Sequence, residues 1–297
     1  MNTIVNVPRA SRIWQTASRV LHLAVASSLL VSLISTLLLW DACLLLHVAL
    51  PLATYVAAFC LTVAVYNLDR LDGPPEDHLN APQQRQLYAG KTTQWVLLVG
   101  VALMTCFGLL LVTAVRLIGV FLVPLLTSLL YGKGVVVPRL KNVLGVKNLV
   151  LVATWTLMAT AIPVLSTPLD PVPVLMVAVF VFLKIFINSL LFDVRDIWGD
   201  RAAGVRTLPV ALGRTATFRL LVLLNGALVP WLVLCRLRNY FLPYLWPLTF
   251  SVVYGLGYIL FFGRRERPRL LYDVLVDGEW VPFTLAQVIA HGISGPG

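Results

Sequence analysis

The sequence predicts an all-α fold: a multi-pass transmembrane bundle of eight to nine helices, set as two four-helix halves around a central cavity. Three observations predict it. Hydrophobic residues make up 59% of the chain and charged residues 12%, about half the charge that a soluble domain carries. The mean hydropathy is +0.88, so lipid is the solvent for most of this chain. The apolar residues also fall into runs of about 20, the length that crosses a bilayer as a helix.

Taken in order, the runs place spans near 21–40, 42–66, 94–113, 115–131, 148–166, 171–192, 215–235 and 241–262. A ninth, near 270–290, is interrupted by Asp273, Asp277 and Glu279 and is expected to enter the bilayer late or to lie partly in the interface. Arg9, Arg12 and Arg19 precede the first run, and no short apolar region with a small-residue cleavage site follows, so a first membrane helix is expected rather than a cleaved signal. The whole of 1–297 reads as one transmembrane domain. Tight turns are expected at Trp40-Asp41 and between Ser166 and Val172 on one side. The polar sequence collects in three loops on the other, at 67–93, 131–148 and 193–214.

Lys and Arg give the orientation. With the N-terminus inside, all of the 23 basic residues except Arg116, Lys184, Arg236 and Arg238 fall on the inner side, the asymmetry of cytoplasmic loops. The net charge of +10 is therefore a property of one membrane face, where anionic lipid or phosphate meets it. It does not call for nucleic acid. Cys43, Cys60, Cys106 and Cys235 sit in or beside apolar runs without metal-ligand spacing and read as small core residues.

Chemistry concentrates in the acidic residues of two inner loops. Of thirteen acidic residues, seven stand there: Asp69, Asp72, Glu76 and Asp77 after the second span, and Asp193, Asp196 and Asp200 after the sixth. Asp193, Asp196 and Asp200 are three and four residues apart and share one helix face. Asp69 and Asp72 share a face in the same way, and Gly73-Pro74-Pro75 then breaks the helix, so that Asp77 approaches from a loop. Carboxylates crowded on one face repel unless a hard cation joins them, and Mg²⁺ takes one or two carboxylates together with substrate phosphate oxygens. Four spans separate the clusters, which places them at matching ends of the two halves. Facing each other, they can hold metal around one diphosphate. Arg70, Lys133, Arg139, Lys141, Lys147, Arg195 and Arg201 are the basic residues suited to its oxygens. Arg206 stands in the same loop. Transporter carboxylates usually lie near the bilayer midplane, and here no span between 21 and 262 has one at its centre, which argues against a transporter.

The second cluster carries a resemblance. The stretch Asp193-Val-Arg-Asp196-Ile-Trp-Gly-Asp200-Arg201-Ala-Ala-Gly204-Val-Arg206-Thr207-Leu208-Pro209, followed by Ala211-Leu212-Gly213-Arg214, resembles the DxxxD element of the UbiA superfamily of intramembrane prenyltransferases. Tyr131-Gly132-Lys133, Pro138-Arg139-Leu140-Lys141 and Gly145-Val146-Lys147-Asn148 resemble that family's loop after its fourth helix. The resemblance implies a UbiA-like bundle of nine helices around a cavity open to lipid, Mg²⁺ as cofactor and a prenyl diphosphate as substrate. It implies metal ligation by Asp193, Asp196 and Asp200, and by Asn67, Asp69, Asp72 and Asp77 on the other side, with Asp72, Asp196 and Asp200 as the catalytic carboxylates.

The first motif departs from the family's NDxxDxxxD pattern. One, four and eight residues after Asn67 stand Leu68, Leu71 and Pro75. Read back from Asn80 and Pro82, Asp72 matches the pattern's last aspartate. The expected reaction is transfer of the prenyl group to an aromatic or lipid-like acceptor with release of diphosphate; the departure raises a second reading, a terpene cyclase of the same superfamily. An allylic cation needs a dry cavity and gains from aromatic faces. Tyr66, Tyr131, Trp155, Phe182, Phe186 and Trp198 are the aromatic candidates near the loops. Lys184 and Asn188, one turn apart in the sixth span, are polar candidates for the same cavity.

Overall fold

The computed structural model describes residues 21–72 apart from 22 and 26, and residues 90–133, 144–263 and 268–294. All regular structure among them is helical. The helices are α1 (Leu29–Leu45), α2 (Leu52–Asp72), α3 (Thr92–Thr113), α4 (Ile118–Lys133), α5 (Val146–Ser166), α6 (Pro171–Ala202), α7 (Leu208–Leu212), α8 (Arg214–Gly226), α9 (Leu228–Leu237), α10 (Leu245–Gly263), α11 (Arg269–Leu275) and α12 (Trp280–Ser294). Among the described residues six helical segments are long and apolar enough to cross a membrane, and Leu29–Leu45 and Val115–Leu129 are shorter apolar helices. The eight segments coincide with the eight spans expected between 21 and 262. The protein is an integral, multi-pass membrane protein.

Four details differ from the sequence expectation. The first turn is not at Trp40-Asp41. α1 continues to Leu45 because the apolar run continues through Cys43-Leu44-Leu45, and the chain reverses between Leu46 and Pro51. Asp41 is consequently a buried helical residue whose carboxylate accepts the Thr284 hydroxyl at 3.0 Å. The span at 215–235 is two helices, α8 and α9, parted at Ala227. The ninth segment is also broken: a 3₁₀ turn at Asp277–Glu279 separates α11 from α12, so 270–290 is not one span.

The last difference positions the site. The 193–214 segment is not a loop at its start, because α6 runs for 32 residues, about 48 Å at 1.5 Å per residue. The hydrocarbon core is about 30 Å thick, so α6 is longer than the core by about three turns, and its last three turns carry Asp193, Asp196 and Asp200. The helix is well delimited. Asp170 caps its start by accepting the Val172 N–H at 2.9 Å, with Pro171 in the first turn. Gly204, at φ +72°, closes its end: Val205 N–H reaches the Asp200 carbonyl at 2.8 Å and Gly204 N–H the Arg201 carbonyl at 3.2 Å, a Schellman motif that requires the left-handed conformation.

The two largest apolar clusters divide the bundle. One joins α1 to α2, α3, α4 and α5 through Leu39, Leu61, Leu110, Phe121 and Ile162. The other joins α1 and α5 to α6, α9, α10 and α12 through Leu38, Val152, Phe180, Trp231 and Phe283. α12 packs against α1, so the C-terminal helix closes the ring begun by the first. The cavity lies where α1, α2, α5, α6 and the α11–α12 turn converge.

Candidate functional site

The cavity is about 280 Å³ in volume, and the walls from α2, α5 and α6 are each one stripe of a helix. Tyr66 and Arg70 on α2 are four residues apart. Lys147, Leu151 and Trp155 on α5 are spaced by four. On α6 the stripe is Ile185, Asn188, Ser189, Phe192 and Asp193. Asp273 and Asp277 precede α12, and Trp280 opens it. On α2, α5 and α6 these spacings put the residues of each wall on one helical face. The result is a graded cavity. Arg70, Lys147, Arg195, Asp193, Asp273 and Asp277 surround one end, and Ile34, Leu38, Leu151, Trp155 and Ile185 line the other.

The charged end is a lattice of ion pairs. Asp193, 2% exposed, takes Lys147 Nζ on Oδ1 at 2.9 Å and Asn148 Nδ2 on Oδ2 at 2.8 Å. Asn148 Nδ2 also lies 2.7 Å from Ser189 Oγ. Lys147 and Asn148 belong to the first turn of α5, so Asp193 ties that helix start to α6. Arg195 donates through Nε and Nη2 to both oxygens of Asp196 (3.1 and 3.0 Å), and through Nη1 to Asp273 Oδ1 at 3.1 Å. Its guanidinium lies 4.5 Å from the centre of the Phe192 ring. Arg269 is a second partner of Asp196. Asn188 Nδ2 donates to Asp277 Oδ1 at 3.0 Å.

Asp273 and Asp277 lie outside the helices long enough to cross the membrane. Burial raises the Asp277 carboxyl to about 7, and the neighbouring charge of Asp273 pushes the same way. Burial raises Asp273 as well, against the opposing pull of Arg195.

Of the residues singled out from the sequence, Tyr66, Arg70, Lys147, Trp155, Asn188, Asp193 and Arg195 line this cavity. Others stand elsewhere. Lys184 is not a cavity residue and does not snorkel: it is 1% exposed and paired with Glu279 at 2.7 Å, because the turn before α12 brings a buried carboxylate to it. Asn67 is fully buried, and its amide donates to the Val63 carbonyl at 2.7 Å and the Ser27 carbonyl at 3.3 Å, joining α2 to the chain before α1. Asp69 is exposed. Asp196 stands behind Arg195, outside the cavity lining, and Asp200 is buried at the end of α6. Arg201 is exposed against the Trp198 ring at 5.7 Å, on a face turned from the cavity. Phe182 and Phe186 stack on each other at 6.0 Å. Asp77, Arg139 and Lys141 lie outside the described residues, and Asp72, Tyr131 and Lys133 stand at the helix ends beside such segments.

Sequence reasoning missed Asp273 and Asp277 as site residues. Their signal was present: two carboxylates four residues apart in an otherwise apolar stretch are functional candidates by default.

Among the described residues no three His, Cys, Asp or Glu side chains form a ready metal-binding group. The donor chemistry at the charged end nevertheless suits Mg²⁺. Carboxylate and amide oxygens, the hard donors Mg²⁺ prefers, come from Asp193, Asp273, Asp277 and Asn188, and Asn188 Oδ1 is buried with no hydrogen-bond partner. A buried carbonyl oxygen in that position is costly unless something binds it.

Comparison with known proteins agrees with the fold. Among solved structures, a UbiA homologue from Aeropyrum pernix K1, in its apo form, superposes with a TM-score of 0.60 at 14% identity, over 87% of this chain and 96% of that one. A structure described as giving structural and mechanistic insights into digeranylgeranylglyceryl phosphate synthase in membranes gives 0.54 at 15% identity, over 87% and 90%. At these identities the likeness is one of fold. No curated protein matches the sequence. The profile of the UbiA prenyltransferase family matches residues 74–273, a stretch that contains the whole second motif and begins just after Asn67, Asp69 and Asp72. With two thirds of its length inside that match, the chain belongs to the UbiA prenyltransferase family.

Proposed function

We propose that the protein is a Mg²⁺-dependent enzyme that ionises a prenyl diphosphate and passes the prenyl group to an aromatic or lipid-like acceptor, releasing diphosphate. The observation that carries this reading is the two-ended cavity, with Arg70, Lys147 and Arg195 among carboxylates at one end and aliphatic and aromatic side chains at the other. A prenyl diphosphate, with an anionic head and an apolar chain, matches both ends.

In this reading the guanidinium and ammonium groups of Arg70, Lys147 and Arg195 bind the diphosphate oxygens. Asn188 with one or two of the carboxylates of Asp193, Asp273 and Asp277 would hold Mg²⁺, with Asp196 keeping Arg195 in place. Bound there, Mg²⁺ supplies neutralisation of the charge that grows on the leaving diphosphate. The apolar walls keep water from the allylic cation, and the rings of Tyr66, Trp155 and Trp280 offer it their π faces. By the distribution of basic residues the charged end faces the cytoplasm.

A second reading, cyclisation of the chain onto its own double bond, is favoured by the altered spacing after Asn67. One experiment separates the two. The detergent-purified protein is given Mg²⁺ and geranyl, farnesyl or geranylgeranyl diphosphate, with Asp193→Ala and Asp196→Ala alongside. Diphosphate release that waits for an aromatic or lipid acceptor supports transfer. Release without acceptor, accompanied by a hexane-extractable cyclic product, supports cyclisation. Full activity in Asp193→Ala would exclude the metal and diphosphate assignment.

A further inference from the structure

Three voids meet at one side chain. Trp155 lines the main cavity, and it also lines two small ones beyond it. The first holds about 10 Å³ and lies among Leu38, Leu39, Ala58, Met158 and Ile162. The second holds about 30 Å³ and lies between Leu61, Val65, Pro124 and Met158. Each has room for one or two waters at most, so neither accepts a chain as it stands.

The indole is the partition between them and the cavity. Along α5, Lys147 marks the charged end, and Trp155 stands eight residues further in, about 12 Å along the axis. Met158, Ala159 and Ile162 carry the same direction onward into the first void. Across the cavity the Tyr66 ring lies 6.3 Å from the Trp155 ring, centre to centre, so the two aromatics close the apolar end together.

What lies beyond is suited to hydrocarbon. The polar atoms there are already satisfied. Ser35 Oγ and Thr62 Oγ1 lie 2.8 Å apart, and their hydroxyls reach the carbonyls of Ser32 and Ala58 at 2.8 and 2.9 Å. Thr154 Oγ1 donates to the Val150 carbonyl at 2.8 Å, the remaining lining is aliphatic, aromatic or thioether, and a small void of this kind stays dry.

We propose that Trp155, braced by Tyr66, is the floor that limits the length of the apolar chain admitted to the cavity, and that the protein takes short prenyl diphosphates in preference to long ones. This rests on the reading of the cavity as a prenyl diphosphate site. Ligand pockets commonly span about 300–1,000 Å³, and the 280 Å³ found here is at the bottom of that range, which matches a diphosphate with few isoprene units. A chain that reaches the indole stops. Without it, the two voids and the space of the ring merge with the cavity into one apolar channel between α1, α2 and α5.

The test uses the full chain in detergent and a series of non-ionising S-thiolodiphosphates carrying geranyl, farnesyl and geranylgeranyl groups. Dissociation constants are measured for the wild type, W155A and, as a milder variant that keeps an apolar filler, W155L. In the wild type the geranyl or farnesyl compound is expected to bind best. In W155A the ratio of geranylgeranyl to geranyl affinity is expected to rise at least about tenfold, since each newly buried methylene adds to binding, with W155L between. An unchanged length profile in both variants would overturn the proposal and leave the prenyl diphosphate reading standing. Failure of the wild type to bind any of the three would overturn that reading and the proposal with it.

Discussion

Lys184 and Glu279 form an ion pair at 2.7 Å with 1% and 3% of their side chains exposed, outside the cavity lining and one helical turn from Asn188, which belongs to it. Lys184 Nζ also reaches the Ser251 carbonyl at 3.1 Å and Tyr258 Oη at 3.4 Å, and Ser251 Oγ donates to Glu279 at 2.9 Å. Four residues along α6, Asn188 holds Asp277, and Asp277 is two residues before Glu279. The two contacts run side by side. The buried pair fixes the turn between α11 and α12 against α6, and the outer one sets Asp277 in the cavity wall. Removing one partner of such a buried pair leaves the other charge uncompensated.

Removing one half of that pair is the first prediction. Lys184→Met leaves the Glu279 carboxylate buried without its cation, a change that costs about 3–5 kcal/mol in comparable sites. The double variant Lys184→Met/Glu279→Gln removes both charges and is expected to recover more than half of that loss. Thermal unfolding in detergent, followed by the loss of monodisperse protein, measures both. A single variant as stable as the wild type would mean that the pair carries no weight in the fold.

Glycine at 255 is required by the same network. A Cβ there would stand 2.5 Å from Asn225 Oδ1 and 2.9 Å from Lys184 Nζ. Gly255→Ala is therefore expected to separate the network and to destabilise by about 1–3 kcal/mol, as overpacking does. Gly204→Ala meets no atom within 4 Å, and its cost is the left-handed backbone, about 1–2 kcal/mol. The two differ in how they are rescued. Shortening Asn225 to Ala is expected to relieve Gly255→Ala, because it removes the clashing atom, and to leave Gly204→Ala as it was.

Asp277 predicts a pH dependence. Its carboxyl titrates at about 7 in the folded protein, against roughly 3.9 in an unfolded chain. A raised carboxyl favours the fold while it is protonated. The contribution is complete below the unfolded value and is lost as pH rises through 7. In EDTA, the unfolding temperature is expected to fall as pH rises from about 4 to about 7, the interval between the two values, and to level off above it. Asp277→Asn, which keeps the partner of Asn188 and cannot ionise, is expected to flatten the slope. An equal slope in both proteins would place the titration on another group.

The eight spans between 21 and 262 were legible because lipid imposes one rule: a run of apolar residues long enough to cross must be helical. What was not legible came from contacts between distant segments. Asp41 looked like a turn residue because nothing near it in sequence can satisfy a carboxylate, and its partner Thr284 lies at the far end of the chain. Lys184 looked like a cavity residue for the same reason, until Glu279 is brought beside it. Within the second motif, the sequence singles out Asp193 as a metal ligand and Arg195 as a diphosphate binder, and both line the cavity. It could not tell that Arg195 would turn inward while Arg201, six residues later, turns outward, since that depends on which face of α6 meets α11.

That division between two arginines of one motif gives the last prediction. Arg195 uses its planar fork on Asp196 and its remaining nitrogen on Asp273, an arrangement a lysine cannot reproduce with a single ammonium. Arg195→Lys keeps the charge but gives up one of the two carboxylates, so the Asp273 wall of the cavity loses its anchor. Diphosphate release is expected to drop by at least about tenfold, the effect of misplacing groups that stabilise developing charge. Arg201 is exposed and stacked near Trp198, where surface substitutions usually matter little. Arg201→Lys and Arg201→Ala are both expected to keep diphosphate release within about twofold of the wild type. If instead Arg201→Ala were the damaging change and Arg195→Lys were silent, the diphosphate would have to bind on the outer face of α6, and the cavity between α2, α5 and α6 would not be the site of reaction.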